Sequence, residues 1–335
     1  MAGSVNIIIP SIKIDNELIK CLNNVNKLKY KNFTVTIVLD EIPKKSLKKF
    51  KFKINKMIVG KVNMSKKRNM AVKKFKSKFI AFLDSDACPT AGWLTNATNH
   101  LSDKKIHIVG GPNIPFKNQS YSEKISHYCK RSFFITGHLN YRKHMSPKRI
   151  CNDWLESCNV IMRREFFLKF NGMNEKNYFQ EDQEFFDRLR KKVKNFKVLF
   201  TPDVFVYHKE RKVIKFLLQR LAFGTALLEA TKLNLGIKGL IPLFPLLTFF
   251  SFLLIFLINI NLTVKISLFF SFLLFINLLI YIETTKYIKS FVDKIVTIII
   301  INIASLLHIV GGIFTLIGLR KTLERKIYIF SRANK

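Results

Sequence analysis

Three apolar runs, residues 239–260, 264–282 and 295–319, constrain this chain more than anything else in it. At about 1.5 Å per residue each approaches or exceeds the roughly 30 Å of a bilayer's hydrocarbon core. A run that sits in lipid must be helical, because there its backbone can be satisfied only from within. A helix buried in a soluble core is apolar all round too, but three such runs in succession favour a multi-pass membrane region at 239–319, ending in a basic tail at 320–335. Topology leaves one conflict. The loop with Lys286, Lys289 and Lys294 and the tail with Arg320, Lys321, Arg325, Lys326, Arg332 and Lys335 both belong on the cytoplasmic side, yet a full third crossing separates them. Either the last run bends back at Gly311–Gly312 or one segment lies along the interface, and the side of the tail stays open.

Ahead of these runs the character changes. Residues 239–335 hold ten Lys/Arg and three Asp/Glu, which leaves 47 and 19 on residues 1–238, a net charge of +28. Such a surface suits nucleotide diphosphates, lipid headgroups or nucleic acid; biased codon usage accounts for Lys-rich chains equally well. No nucleic-acid module is recognisable, and the lysines are scattered, so no nucleic-acid partner is expected. Five cysteines, odd in number and without a Cys-x-x-Cys, fit a reducing compartment, and the grouping of Cys151, Cys158 and His144 has no usual zinc spacing. Val5–Pro10 follows Met1–Ser4 with no leader pattern, so this part is expected in the cytoplasm.

The order of elements in residues 1–210 reads as α/β. Apolar strands are expected at Val5–Pro10, Phe33–Asp40, Ile54–Gly60 and Phe79–Asp84, with helices over about 15–29 and 66–76 between them. Strands apolar on both faces indicate a mostly parallel sheet covered on both sides, and ligands bind such sheets at the carboxyl ends of the strands. Pro10, Asp40 and the pair Asp84/Asp86 stand at three of those ends. Two carboxylates spaced i, i+2 on an extended segment point the same way and present hard oxygen donors, which suits Mg²⁺ or Mn²⁺; a turn would use Asp and Ser there as well. No Gly-x-Gly-x-x-Gly follows the first strand and no P-loop occurs, which sets aside dinucleotide and Walker-type sites.

In sequence order, Val5-Asn-Ile-Ile-Ile-Pro10, Thr36-Ile-Val-Leu-Asp40, Lys67-Arg68-Asn69, Phe82-Leu-Asp84-Ser-Asp86, Gly110-Gly-Pro112, Ser157-Cys-Asn159, Asn171-Gly-Met-Asn-Glu175, Glu181-Asp182 and Pro202-Asp203 with His208 resemble the inverting glycosyltransferases of family 2, over about residues 4–235. The resemblance implies a Rossmann-like GT-A catalytic domain at 1–210, a nucleotide-sugar donor (UDP-, dTDP- or GDP-linked) and a divalent metal. It also implies roles. Pro10, Asp40, Arg68, Asp84 and Asp86 would contact the donor; Asp86 and His208 would hold the metal; Asp182 would be the general base, supported by Glu181; Trp154 and Asn159 would meet the acceptor. Plainer readings stand beside these: acids at a helix start are favoured by its dipole, His208 can be an exposed strand-end histidine, and Trp154 can be a core residue.

The resemblance is incomplete. The family's acid after strand one is replaced by Ile12-Lys13-Ile14-Asp15, and Gln219-Arg220-Leu-Ala-Phe223-Gly224 lacks the Trp of polymerising synthases. Residues 211–238 are expected to form an amphipathic helix on the bilayer, which points to a lipid-linked or cell-surface glycan acceptor, membrane lipids as partners, and a role in polysaccharide biosynthesis. His308 is a candidate for a lipid phosphate, with helix packing through Gly311 and Gly312 as the alternative. Two other functions remain open: transfer to polyprenyl phosphate itself, as in enzymes similar to dolichol-phosphate mannose synthase, and a non-catalytic membrane protein that binds sugar nucleotides.

Overall fold

The computed structural model describes residues 3–43, 47, 50–225, 254 and 257–333. The chain forms two compact units, one made of residues 1–117 and 141–209, the other of 118–140 and 210–335. The segment 118–140, which the sequence places inside a catalytic domain of 1–210, belongs with the C-terminal helices.

In the first unit an eight-stranded sheet has the order β3-β2-β1-β4-β9-β6-β10-β8. Its first four strands in space are β3 (Lys53–Ile58), β2 (Phe33–Leu39), β1 (Val5–Pro10) and β4 (Phe79–Phe82), all parallel. Central β1 buries all six residues, because helices cover both faces of a parallel sheet. Its Ile7, Ile8 and Ile9 are fully buried, each contributing about 1.5–3 kcal/mol of transfer free energy. Edge strand β3 is polar, and its exposed lysines discourage pairing with another chain. The sheet is mostly parallel, as expected, with two strands reversed: β9 (Val160–Arg163) runs antiparallel between β4 and β6 (Ile108–Gly110), and β8 (Arg149–Cys151) lies antiparallel on β10 (Val198–Phe200). A short apolar run carries no mark of its direction.

A second, three-stranded sheet joins β5 (Ala87–Pro89), β11 (Val206–His208) and β7 (Asn113–Pro115). Helix starts obey their capping residues. Asp15 accepts from Leu18 N at the head of α1 (Asn16–Val25), and Asn63 accepts from Lys66 N at the head of α2 (Met64–Lys74), both at 2.9 Å. The remaining helices of this unit are α3 (Trp93–His100), α6 (Arg164–Lys169) and α7 (Glu181–Lys192).

The second unit is helical: α4 (Tyr121–Arg131), α5 (Phe133–Thr136), α8 (Val213–Thr225), α9 (Leu262–Thr285), α10 (Phe291–Leu316) and α11 (Arg320–Ala333). Helices α9 and α10 are long and apolar enough to cross a membrane and correspond to the runs at 264–282 and 295–319. The run at 239–260 falls largely outside the described residues, as does the end of the helix expected at 211–238. Helix α8 is not an isolated surface helix. Its Phe216 packs with Ile125, Cys129, Ile280, Ile301 and Ala304, and α8 and α10 meet backbone to backbone. A Cβ on Gly224 would stand 2.0 Å from the His308 carbonyl oxygen, and one on Gly311 would stand 2.1 Å from that of Leu221. His308 sits at this crossing, Nδ1 3.3 Å from Arg220 O, which favours the helix-packing alternative. The basic tail is a helix whose Glu324, buried, accepts from Thr225 Oγ1 at 2.8 Å and Arg320 Nε at 2.9 Å.

Candidate active site

Strand β4 ends at Phe82 and delivers Asp84 and Asp86 into a tight turn closed by Ala87 N donating to Asp84 O at 3.0 Å. The two carboxylates converge because of this turn rather than through the extended i, i+2 geometry expected from the sequence. The small sheet brings His208 to them. In the antiparallel pairing of β11 with β5, His208 lies opposite Ala87, and Lys209 N donates to Asp86 O at 3.1 Å. That register places His208 Nε2 3.4 Å from Asp86 Oδ1 and 4.0 Å from Asp84 Oδ2. Asp84 and Asp86 keep 35% and 23% of their side-chain surface exposed, so this cluster remains open to a ligand.

The cluster gains a member that the sequence reading set aside. Atoms of Asp84, Cys158 and His208 lie within 4.8 Å of one another, a spacing at which three donors can share one ion. A carboxylate, an imidazole and a thiol fit a divalent cation. Spacing relates Cys158 only to Cys151 and His144, and nothing in a linear pattern announces that residue 158 returns beside residue 84.

Arg68 connects this cluster to the next. Emerging from α2, with 3% of its side chain exposed, it donates to Asp84 Oδ1 at 2.8 Å and to Glu181 Oε1 at 3.1 Å. Desolvation works against its charge, yet the neighbouring carboxylates outweigh it and the pKa is raised. Arg68 is thus committed to two carboxylates rather than directed at phosphates. Lys67 beside it is fully buried, ion-paired with Asp40 and donating to Ser11 O, so it is neither a solvated helix lysine nor a phosphate contact. Asp40 itself is 8% exposed, and Pro10 is buried at the end of β1.

Glu181 and Asp182 open α7 after Gln180, which adopts a left-handed φ of 57°. A side chain with a Cβ rarely holds that conformation, and its presence where the acidic pair begins is a local cost of positioning them. Asp182 accepts from Ser157 N at 3.3 Å and from Gln183 N at 2.9 Å. Burial pushes its carboxyl up to about 7, and the charges of Glu181 and Glu156 act in the same direction against Gln183 N–H and Arg68. The sequence reading missed Glu156. It accepts from Lys143 Nζ at 2.7 Å and from Asn113 Nδ2 at 2.6 Å.

Asn159 has a different place from the acceptor contact expected of it. It is 1% exposed, its Nδ2 donates to Gly111 O at 3.0 Å and Val204 O at 2.9 Å, and its Oδ1 accepts from Trp93 Nε1 at 2.7 Å. With every polar atom engaged inside the protein, Asn159 ties strand ends together. Gly110 and Gly111 are required there, since a Cβ on either would meet backbone oxygen at 2.3 or 2.2 Å. Trp154 is half-buried, with the Arg142 guanidinium 3.8 Å over its ring.

The family model described as glycosyl transferase family 2 matches residues 6–169. Comparison with curated proteins returns no match. Among solved structures, mannosyltransferase PcManGT from Pyrobaculum calidifontis, in complex with GDP-Man and Mn²⁺, is similar over 94% of this chain and 88% of that one, with a TM-score of 0.57 at 12% identity. That is a likeness of fold. S. aureus TarS is 15% identical over 67% of this chain, with a TM-score of 0.45, and this chain covers only 40% of its length. TarS 1-349 in complex with UDP-GlcNAc gives a TM-score of 0.44 at 15% identity, with coverage of 67% and 66%.

Proposed function

We propose, from the match of residues 6–169 to the glycosyl transferase family 2 model and the GT-A-like α/β fold, that this chain moves a sugar from a nucleotide-sugar donor to an acceptor hydroxyl by a single, inverting displacement. The observation that carries the reading is the continuous line of groups from His208 and Asp86 through Asp84, Arg68 and Glu181 to Asp182, which combines cation donors with a carboxyl near neutral pKa in one unit.

Asp84, Asp86 and His208 would hold a divalent ion, Mg²⁺ or Mn²⁺. When bound, such an ion supplies Lewis-acid neutralisation of a diphosphate. Arg68 fixes the two ends of the site relative to each other, because one rigid guanidinium donates to both Asp84 and Glu181. Asp182 takes the proton of the acceptor hydroxyl onto a carboxylate oxygen as that hydroxyl attacks the anomeric carbon and the bond to the departing phosphate oxygen breaks. A pKa near the working pH lets Asp182 be ionised while still accepting a proton effectively. Asp40, held by Lys67, and Pro10 line the donor side, and Trp154 faces the acceptor.

The apolar helices Leu262–Thr285 and Phe291–Leu316 support a lipid-linked or cell-surface glycan acceptor handled at the membrane, and the catalytic unit of residues 1–117 and 141–209 would then lie on the cytoplasmic side. Membranes containing the full chain, given a panel of radiolabelled sugar nucleotides with and without Mn²⁺, test both points. One donor should label a lipid-extractable or glycan product only with the metal present. Hydrolysis alone, or a product of sugar on a bare polyprenyl phosphate, would replace this acceptor class, and no turnover of any donor would leave a binding protein.

A further inference from the structure

We infer that Cys158 is an additional ligand of the cation site at Asp84 and His208, and that its sulfur biases the site toward thiophilic divalent ions such as Co²⁺, Zn²⁺ and Cd²⁺ over Mg²⁺. The inference rests on the reading of this cluster as the cation site. Three observations carry it. The donor atoms of Asp84, Cys158 and His208 are mutually within 4.8 Å, and donors bound to one ion stand about 3.3–3.6 Å apart, so side-chain movements of up to about 1 Å close them round it. Cys158 is 3% exposed, on the Ser157–Asn159 turn that the Asn159 hydrogen bonds hold in place, which fixes where its sulfur lies. Three of the other four cysteine sulfurs, those of Cys21, Cys129 and Cys151, lie 3.8, 3.8 and 3.9 Å from protein oxygens, and no such bond holds the Cys158 sulfur among the described residues.

Carboxylate donors alone accept Mg²⁺ readily, and the His208 imidazole already leans toward borderline ions. A thiolate goes further, since soft sulfur favours borderline and soft ions while Mg²⁺ keeps to oxygen. On binding, the Cys158 S–H bond breaks, its proton leaves to solvent water, and an S–metal bond forms; no oxidant or reductant takes part.

The test uses the full chain in detergent, titrated with Co²⁺ alone and followed by near-ultraviolet absorption and by calorimetry. We expect a cobalt–thiolate charge-transfer band in the wild type, its loss in Cys158→Ser and in Cys158→Ala, and its retention in Cys151→Ser. Cd²⁺ affinity should fall by about tenfold or more in Cys158→Ser, the range typical of damage to a metal's surroundings, with Mg²⁺ affinity changing less than about twofold. If Co²⁺ binds the wild type without the band, or the band persists in both Cys158 variants, the sulfur is not a ligand although the cation site survives. If Co²⁺ does not bind at all, the cation site itself is wrong and the inference falls with it. The alanine variant keeps the test decisive should the serine variant misfold.

Discussion

Asp182→Asn should abolish transfer and at the same time stabilise the metal-free protein, because the carboxyl is held in a place that disfavours its charge. Its pKa is raised from 3.8 to about 7. The folded state therefore holds a proton that the unfolded chain has already lost between about pH 4 and 7, so this group's contribution to stability falls as pH rises through that window. At about 1.36 kcal/mol per unit the full penalty above pH 7 approaches ~4 kcal/mol. Asp182 is only half-buried, so water relieves part of the desolvation, and about 1–2 kcal/mol is the reasonable expectation. Asparagine removes the titration and can still accept from Ser157 N–H. The assay follows from the composition: both tryptophans, Trp93 and Trp154, lie in the first unit, so thermal unfolding read by tryptophan fluorescence reports on that unit. In EDTA, the melting temperature of Asp182→Asn should exceed that of the wild type at pH 8 by a few degrees, on the order of 2–4 °C per kcal/mol for a domain of this size. At pH 4.5 the difference should shrink toward zero. A variant that is destabilised equally at both pH values would refute the claim that burial opposes ionisation here, and undiminished turnover would remove Asp182 from the role of base.

Other expectations follow from the same geometry. Wild-type activity at saturating donor should rise through about pH 7, and Glu156→Gln, by removing a nearby negative charge, should move that limb to lower pH; an unmoved limb would assign the titration to another group. Arg68→Ala leaves the partly exposed Asp84 and Glu181 without their shared cation and should cost about 1.5–3 kcal/mol in unfolding experiments and weaken donor binding measured by calorimetry. Asn159→Ala orphans Trp93 Nε1 and the carbonyls of Gly111 and Val204, so about 2–4 kcal/mol of stability should go, with KM for the acceptor unchanged in whatever protein folds. Gly224→Val forces α8 away from the His308 carbonyl and should lower detergent stability of the whole chain, whereas the same substitution at Gly60, which has nothing within 4 Å, tests backbone strain alone.

Much of the site was readable before folding. Continuous apolar runs such as Val5–Pro10 and Phe79–Phe82 announce buried parallel strands, and polar residues just beyond them mark the strand ends where ligands bind, so Asp40, Asp84 and Asp86 stand out locally. The apolar helices at the C-terminus are likewise dictated by composition and length. Local pattern gives no sign that Lys67, on a helix rich in lysine, is fully buried against Asp40. It also misplaced Asn159, because a polar residue in a motif looks the same whether it meets a sugar or two carbonyl oxygens and an indole N–H.

The sequence alone determined which segments are apolar, where they stop, and which carboxylates stand at their ends, since those properties depend on neighbours within a few residues. Only the tertiary structure decided that β11 pairs with β5 so that His208 reaches Asp86, that residue 158 turns back beside residue 84, and that segment 118–140 joins the C-terminal helices. Strand register and helix crossing depend on packing between residues many tens of positions apart, and side-chain periodicity along one segment contains no information about its partner.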